Sequence, residues 1–120
     1  MTIETLIRKV KEEKPNAFSD ERLIGFINEI EAEVAEILHK YTVPVYTTGS
    51  TDSELLAPAP YDRLYVTYVK AMIDYANEEL EPYANNAAQH AQDMLDFQNW
   101  VVRTGQVQDS RFPKRFRNVL

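Results

Sequence analysis

The sequence predicts an all-α protein, a small four-helix bundle with a long loop between its second and third helices and an extended C-terminal arm. Three observations predict it. Apolar residues recur at helical spacing in four separate stretches. Each stretch is bounded by a capping residue, a proline or a glycine. With 120 residues and 44% hydrophobic content, the chain has the size and apolar content of one modest core. Residues 1–105 are expected to form the helical domain and residues 106–120 the arm.

The first helix is expected over 2–14. Thr2 can cap it, Glu4 falls in its first turn, and Ile3, Leu6, Ile7 and Val10 form one stripe. Pro15 disfavours helical geometry in Lys14 and should end it there. The second helix is expected over 19–41, capped by Ser19 and opened by Asp20 and Glu21. Its apolar residues, from Leu23 through Ile30 and Val34 to Tyr41, share about 120° of arc. Glu29, Glu33 and Glu36 line one flank and read as a solvated acidic face.

Residues 42–60 read as a long connection with a polar, turn-prone tip, TTGSTDS. Loops of this length in compact domains usually bind something or move. Pro60 can then open a third helix, which should run about twenty residues to a stop at Pro82. Its apolar residues cover about 200° of arc, twice what a surface helix needs. Such a helix lies between several partners, either within its own bundle or between its own core and a neighbouring chain. Val66, Val69, Ile73, Ala76 and Leu80 are assigned to the chain's own core. The edge carrying Tyr61, Tyr65, Tyr68 and Met72 is expected to meet the long loop or another subunit, since tyrosine suits boundaries that are dry at the ring and wet at the hydroxyl.

A fourth helix is expected from Asn85 or Asn86, with Ala87, Ala91, Met94, Leu95, Gln98, Val101 and Val102 as its core stripe and Gly105 as its stop. Trp100 falls off that stripe, with Phe97 between. It either packs beneath the tail or contacts another chain, and Phe97 and Trp100 join the tyrosine edge as candidate subunit contacts.

Charge is unevenly spread. The chain carries a net −6, yet residues 106–120 hold Arg111, Lys114, Arg115 and Arg117 against Asp109, a net +3. Residues 1–105 therefore carry nine basic and eighteen acidic groups, a net −9. The arm alternates these cations with Phe112, Phe116 and Leu120, and reads as a docking arm.

The same inventory argues against several chemistries. There is no cysteine, so neither a disulfide framework nor a thiol site is expected. His39 and His90 lie on different helices without metal-ligand spacing. No phosphate-cradling glycine loop or nucleophile elbow occurs. No apolar run approaches the roughly 20 residues of a membrane span. No enzyme, cofactor or metal is expected, and the chain reads as soluble and intracellular.

The stretch LAPAPYDRLYVTYVKAMIDYANEELEPYANNA from Leu56, with an acidic amphipathic helix and polar loop before it and WVVRTG ending at Gly105, resembles the small head–tail connector proteins of tailed phages and prophages, sometimes labelled DNA-packaging proteins. The resemblance implies a structural virion protein of the neck, assembled in the host cytoplasm. It would form a ring, expected to be twelvefold, beneath the portal protein, extend the channel through which genomic DNA passes, and receive a tail-side connector or stopper protein. It brings no catalytic residue with it. An acidic body suits a channel that must not grip phosphates. Two alternatives stand beside this reading: a small DNA-binding or packaging accessory using the basic arm, and a helical adaptor of a host complex.

Overall fold

The structure, a computed structural model, describes residues 1–105. Four helices follow one another: α1 (Ile3–Glu13), α2 (Asp20–Ile37), α3 (Arg63–Ala76) and α4 (Leu80–Thr104). Among the described residues there is no strand, only one antiparallel bridge between Thr2 and Glu54. Among the described residues, no helix is long and apolar enough to cross a membrane.

The caps of the first two helices follow from their sequences. The Thr2 hydroxyl accepts from the Thr5 amide and Ser19 accepts from the Arg22 amide, each satisfying a donor that the helix itself leaves unpaired. Ile3, Leu6, Ile7 and Val10 of α1 are buried against Leu23, Ile27, Ile30 and Val34 of α2 and Leu64, Val69 and Ile73 of α3 in one continuous core. α3 packs on all three other helices, whereas α4 packs chiefly on α3. The wide apolar arc of α3 thus serves a central position within a single chain.

Two helix ends depart from the sequence reading for the same reason. α2 stops at Ile37 rather than Tyr41, because His39 turns into the left-handed region at φ 55°. The Lys40 amide donates to Ala35 and the His39 amide to Glu36, the paired bonds of a Schellman cap. Tyr41 leaves the helix and is 77% exposed. α3 stops at Ala76 by the same device: Glu78 has φ 57°, the Glu79 amide donates to Asp74 and the Glu78 amide to Tyr75. Neither position is glycine, the usual signal for this turn.

The second cap reverses the chain into α4 at once. Pro82 therefore lies in the first turn of α4, where its missing N–H costs nothing, and opens that helix instead of ending the previous one. Leu80, assigned above to the core, is the first residue of α4 and 79% exposed; Ala76 is exposed too. At the other end of α3 the helix begins at Arg63, after a turn in which the Tyr61 amide donates to Pro58. Asp62 is its N-cap, and Pro60, joined to Ala59 by a cis peptide, stays outside the helix.

The connection between α2 and α3 is neither loose nor empty. The Ile3 and Glu4 amides donate to the carbonyls of Ser53 and Thr51, so the loop caps the start of α1. Asn28 holds Tyr46 from both sides, its Oδ1 accepting from the Tyr46 amide at 2.8 Å and its Nδ2 donating to the Tyr46 carbonyl at 3.0 Å. Tyr46, Leu55 and Ala57 are buried. What this loop binds is the protein's own core.

Candidate interaction surfaces

A buried carboxylate fastens the loop to the helices. Glu31 of α2 is fully buried. It accepts from the Tyr65 hydroxyl at 2.5 Å, the Tyr46 hydroxyl at 2.6 Å and the Leu56 amide at 3.0 Å. The Tyr65 hydroxyl in turn accepts from the Ala57 amide at 2.9 Å. Burial, followed by the nearby Glu31, pushes both phenols well above their ordinary titration range. Every polar group here has a partner, which is what makes a buried carboxylate tolerable.

Two further polar ties join the helices. Asp74 of α3 is buried, ion-paired with Lys14 and accepts from Asn86 Nδ2 of α4 at 2.7 Å. Hydrogen bonding to Asp74 raises the Lys14 ammonium pKa. Asp93 of α4 is buried and accepts from Thr67 at 3.0 Å and Gln89 at 3.0 Å, with Arg63 at 3.8 Å. Next to it, His90 places Nδ1 2.9 Å from the Leu64 carbonyl, so that nitrogen carries the proton. Burial lowers the His90 pKa, against the opposing pull of the Leu64 carbonyl and the charges of Glu33 and Asp93. Among the described residues, no group of three or more His, Asp or Glu side chains could hold a metal ion.

These ties turn α4 away from the orientation read in its sequence. Its inward face is Asn86, His90, Asp93, Phe97 and Val101, largely polar yet satisfied. Of the expected core stripe, Val101 is buried and Ala87 and Met94 are half-buried. Ala91, Leu95, Gln98 and Val102 face outward, Leu95 being 49% and Val102 81% exposed. With Ala84 and Ala88 they form a stripe with alternating steps of four and three residues, the spacing of a coiled-coil seam.

The candidate contact residues divide accordingly. Tyr65 and Phe97 are fully buried within this chain, so neither can meet another subunit; each is core, Tyr65 because its hydroxyl has buried partners and Phe97 because it is enclosed in the hydrophobic core beside Tyr61 and Trp100. Tyr65 does meet the long loop. Trp100 is half-buried, stacked 5.1 Å from the Tyr61 ring and 6.0 Å from Phe97, and so belongs to the flank of the α3–α4 contact. Tyr61, Tyr68 and Met72 are likewise half-buried. The Tyr68 hydroxyl donates to Glu29 at 2.8 Å, and its ring lies 5.2 Å from that of His90. Arg111, Phe112, Lys114, Arg115, Phe116, Arg117 and Leu120 lie outside the described residues.

No protein-family model matches the chain, and no curated protein or solved structure matches it either. Among the described residues, the fold and its surfaces define an all-helical domain with a closed interior, its buried polar groups tied by hydrogen bonds and, at Asp74, by the Lys14 ion pair, and with an exposed stripe along its last helix.

Proposed function

We propose that the chain is a structural assembly subunit and not an enzyme. Its particular place, on this proposal, is the head–tail connector of a tailed phage or prophage. Copies form a ring beneath the portal protein, receive a tail-side connector or stopper, and leave a channel for the genome. The observation that carries the proposal is the outward stripe of α4. A helix bound on one side to its own domain, with a coiled-coil seam on the other, is fitted to a second helical surface. Its alanines let that surface approach closely, and Leu95 and Val102 supply the apolar anchors. A ring needs two different patches that meet head to tail. Tyr41, Val43 and Val45, exposed on the α2–α3 loop, provide a second apolar group on another element. The net −9 of residues 1–105 suits passage of DNA without adhesion. The resemblance over Leu56–Gly105 supplies the rest.

The test is assembly. Purified chain mixed with portal rings should give a ring of density beneath each portal by electron microscopy. A Leu95→Glu/Val102→Glu variant should keep its helical circular dichroism and thermal midpoint, because both residues are exposed, yet fail to form rings. Wild-type chain that stays monomeric on portals, or a variant that assembles as well as wild type, refutes the proposal. Tight, salt-sensitive binding to duplex DNA would replace it with the DNA-binding accessory reading.

A further inference from the structure

One carboxylate oxygen holds both legs of the α2–α3 connection. Oε2 of Glu31 accepts from the Tyr46 hydroxyl on the incoming leg and from the Leu56 amide on the outgoing leg, at 2.6 Å and 3.0 Å. Oε1 is taken by Tyr65 of α3. Within residues 42–57 the buried side chains are Tyr46, Leu55 and Ala57, all beside this carboxylate or its partners. The tip between the legs, residues 47–54, is exposed or half-buried throughout. It is tied to itself: the Ser50 amide donates to the Thr47 carbonyl, the Ser53 amide to the Ser50 carbonyl and the Thr47 amide to the Ser50 hydroxyl. The tip meets α1 through the Thr51 and Ser53 carbonyls, which take the Glu4 and Ile3 amides.

The attachment is therefore concentrated at Glu31 and at the start of α1, and the tip links the two. The incoming leg is not pressed flat on α2. A cleft of about 370 Å³ lies between them, lined by Ile24, Gly25, Asn28 and Thr47 among others. A Cβ on Gly25 would meet nothing within 4 Å.

We propose that residues 42–57 form a latch that opens as one unit together with the first turn of α1, and that Glu31 is its catch. Folded chains open in contiguous cooperative pieces, and pieces with few buried apolar contacts open most readily. Both legs hang on one oxygen, so losing the catch frees them together. The tip moves with the legs, and the Ile3 and Glu4 amides lose their acceptors in the same event. In the open form Glu31 keeps the Tyr65 hydroxyl and takes water in place of the other two donors, so opening strands no buried charge. α2, α3, α4 and the later turns of α1 stay packed. The open form uncovers α2 around Ile24, Asn28 and Glu31 and widens the existing cleft. The latch is a property of the single chain and stands apart from the connector reading.

The experiment is native-state hydrogen exchange on the full chain. The amides of Ile3, Glu4, Tyr46, Leu56 and Ala57 all bond across the latch. Their protection factors should agree within about threefold and lie about a hundredfold below those of Val69 and Ala71 in α3. Tyr46→Phe removes one bond at the catch and leaves Glu31 two donors. It should speed all five latch amides by one common factor of about tenfold, although the acceptors of Ile3 and Glu4 are Ser53 and Thr51. Ile73→Val weakens the helical core outside the latch. It should speed Val69 and Ala71 by about fivefold and leave the latch amides unchanged, because they open without breaking that packing. Three results overturn the proposal. One is latch protection equal to that of Val69 and Ala71. Another is a Tyr46→Phe chain in which the amide of residue 46 quickens but those of Ile3 and Glu4 do not. The third is an Ile73→Val chain whose latch amides quicken as much as Val69.

Discussion

The Tyr65 hydroxyl lies 2.5 Å from a carboxylate oxygen of Glu31, and both side chains are fully buried. Through that one bond the second helix, the third helix and the end of the long loop meet, since the same hydroxyl also accepts the Ala57 amide. Removing it strands two buried groups. Tyr65→Phe should therefore destabilise the chain by about 2–3 kcal/mol, the penalty of leaving buried polar groups unpaired. Urea unfolding will read the loss. Hydrogen exchange should quicken most at the Ala57 amide, and a loss below half a kilocalorie would mean that Glu31 is held without Tyr65.

Glu78 occupies a left-handed position that costs a side chain roughly 1 kcal/mol and costs glycine almost nothing. It is exposed, and its amide bond in the cap is backbone only. Glu78→Gly is expected to stabilise the domain by about 0.5–1 kcal/mol and raise its melting temperature by a few degrees. Glu78→Val should do the reverse. A fall in melting temperature for the glycine variant would show that the α3–α4 turn is held by something other than this cap.

Trp100 is the only tryptophan in the sequence, and it stacks on Tyr61, in the turn that leads into α3, and on Phe97 of its own helix, where α4 meets the start of α3. Its fluorescence is thus a built-in reporter of that contact. Trp100→Ala should cost the single chain about 2–3 kcal/mol, less than a fully buried aromatic because part of the ring is already wet. Unfolding followed by circular dichroism will measure it. An unchanged midpoint would assign Trp100 to contacts outside the chain.

His90 sits beside Thr67, Tyr68 and the Leu64 carbonyl, with the carboxylates of Glu33 and Asp93 as the charges that bear on it. Its pKa in the folded chain lies below the ordinary 6.5 because burial outweighs those charges. Below pH 6.5 the unfolded chain takes up the proton first, so stability falls as pH drops from 6.5 through the folded-state value. His90→Gln should flatten that limb while leaving the remaining acid dependence. Denaturation midpoints at pH 7.5, 6.5 and 5.5 will show it, and parallel slopes for the two proteins would contradict it.

The parts of the fold that were legible from residues alone were those with local chemical signals. Thr2 and Ser19 mark helix starts, Pro15 marks an end, and Gly105 closes α4 at φ 67°. The two Schellman caps were hidden because His39 and Glu78 stand where glycine normally signals the turn. That concealment moved the start of α4 by one and a half turns and made Pro82 look like a stop. The face of α4 departs from its apolar periodicity for a different reason. Periodicity ranks Ala91, Leu95 and Val102 above Asn86, His90 and Asp93, and cannot see that Asp74, Leu64 and Thr67 wait across the contact to satisfy them. Among the candidate contacts, Tyr65 and Phe97 went into the core, while Tyr61, Tyr68, Met72 and Trp100 kept part of their surface. A tyrosine with a buried acceptor is indistinguishable in sequence from a tyrosine at a boundary.

The clasp between the α2–α3 loop and the start of α1 bears on the order in which the chain gains structure. Ile3 finds Ser53 fifty residues away, whereas α3 and α4 are joined by three residues and pack directly on one another. Closing the longer loop carries the larger entropic charge, and contacts near in sequence form first. The third and fourth helices are therefore the natural nucleus, and the first helix settles last, when the loop carbonyls that cap it are already in place. As a new chain leaves the ribosome, its first helix must wait for the residues that finish it.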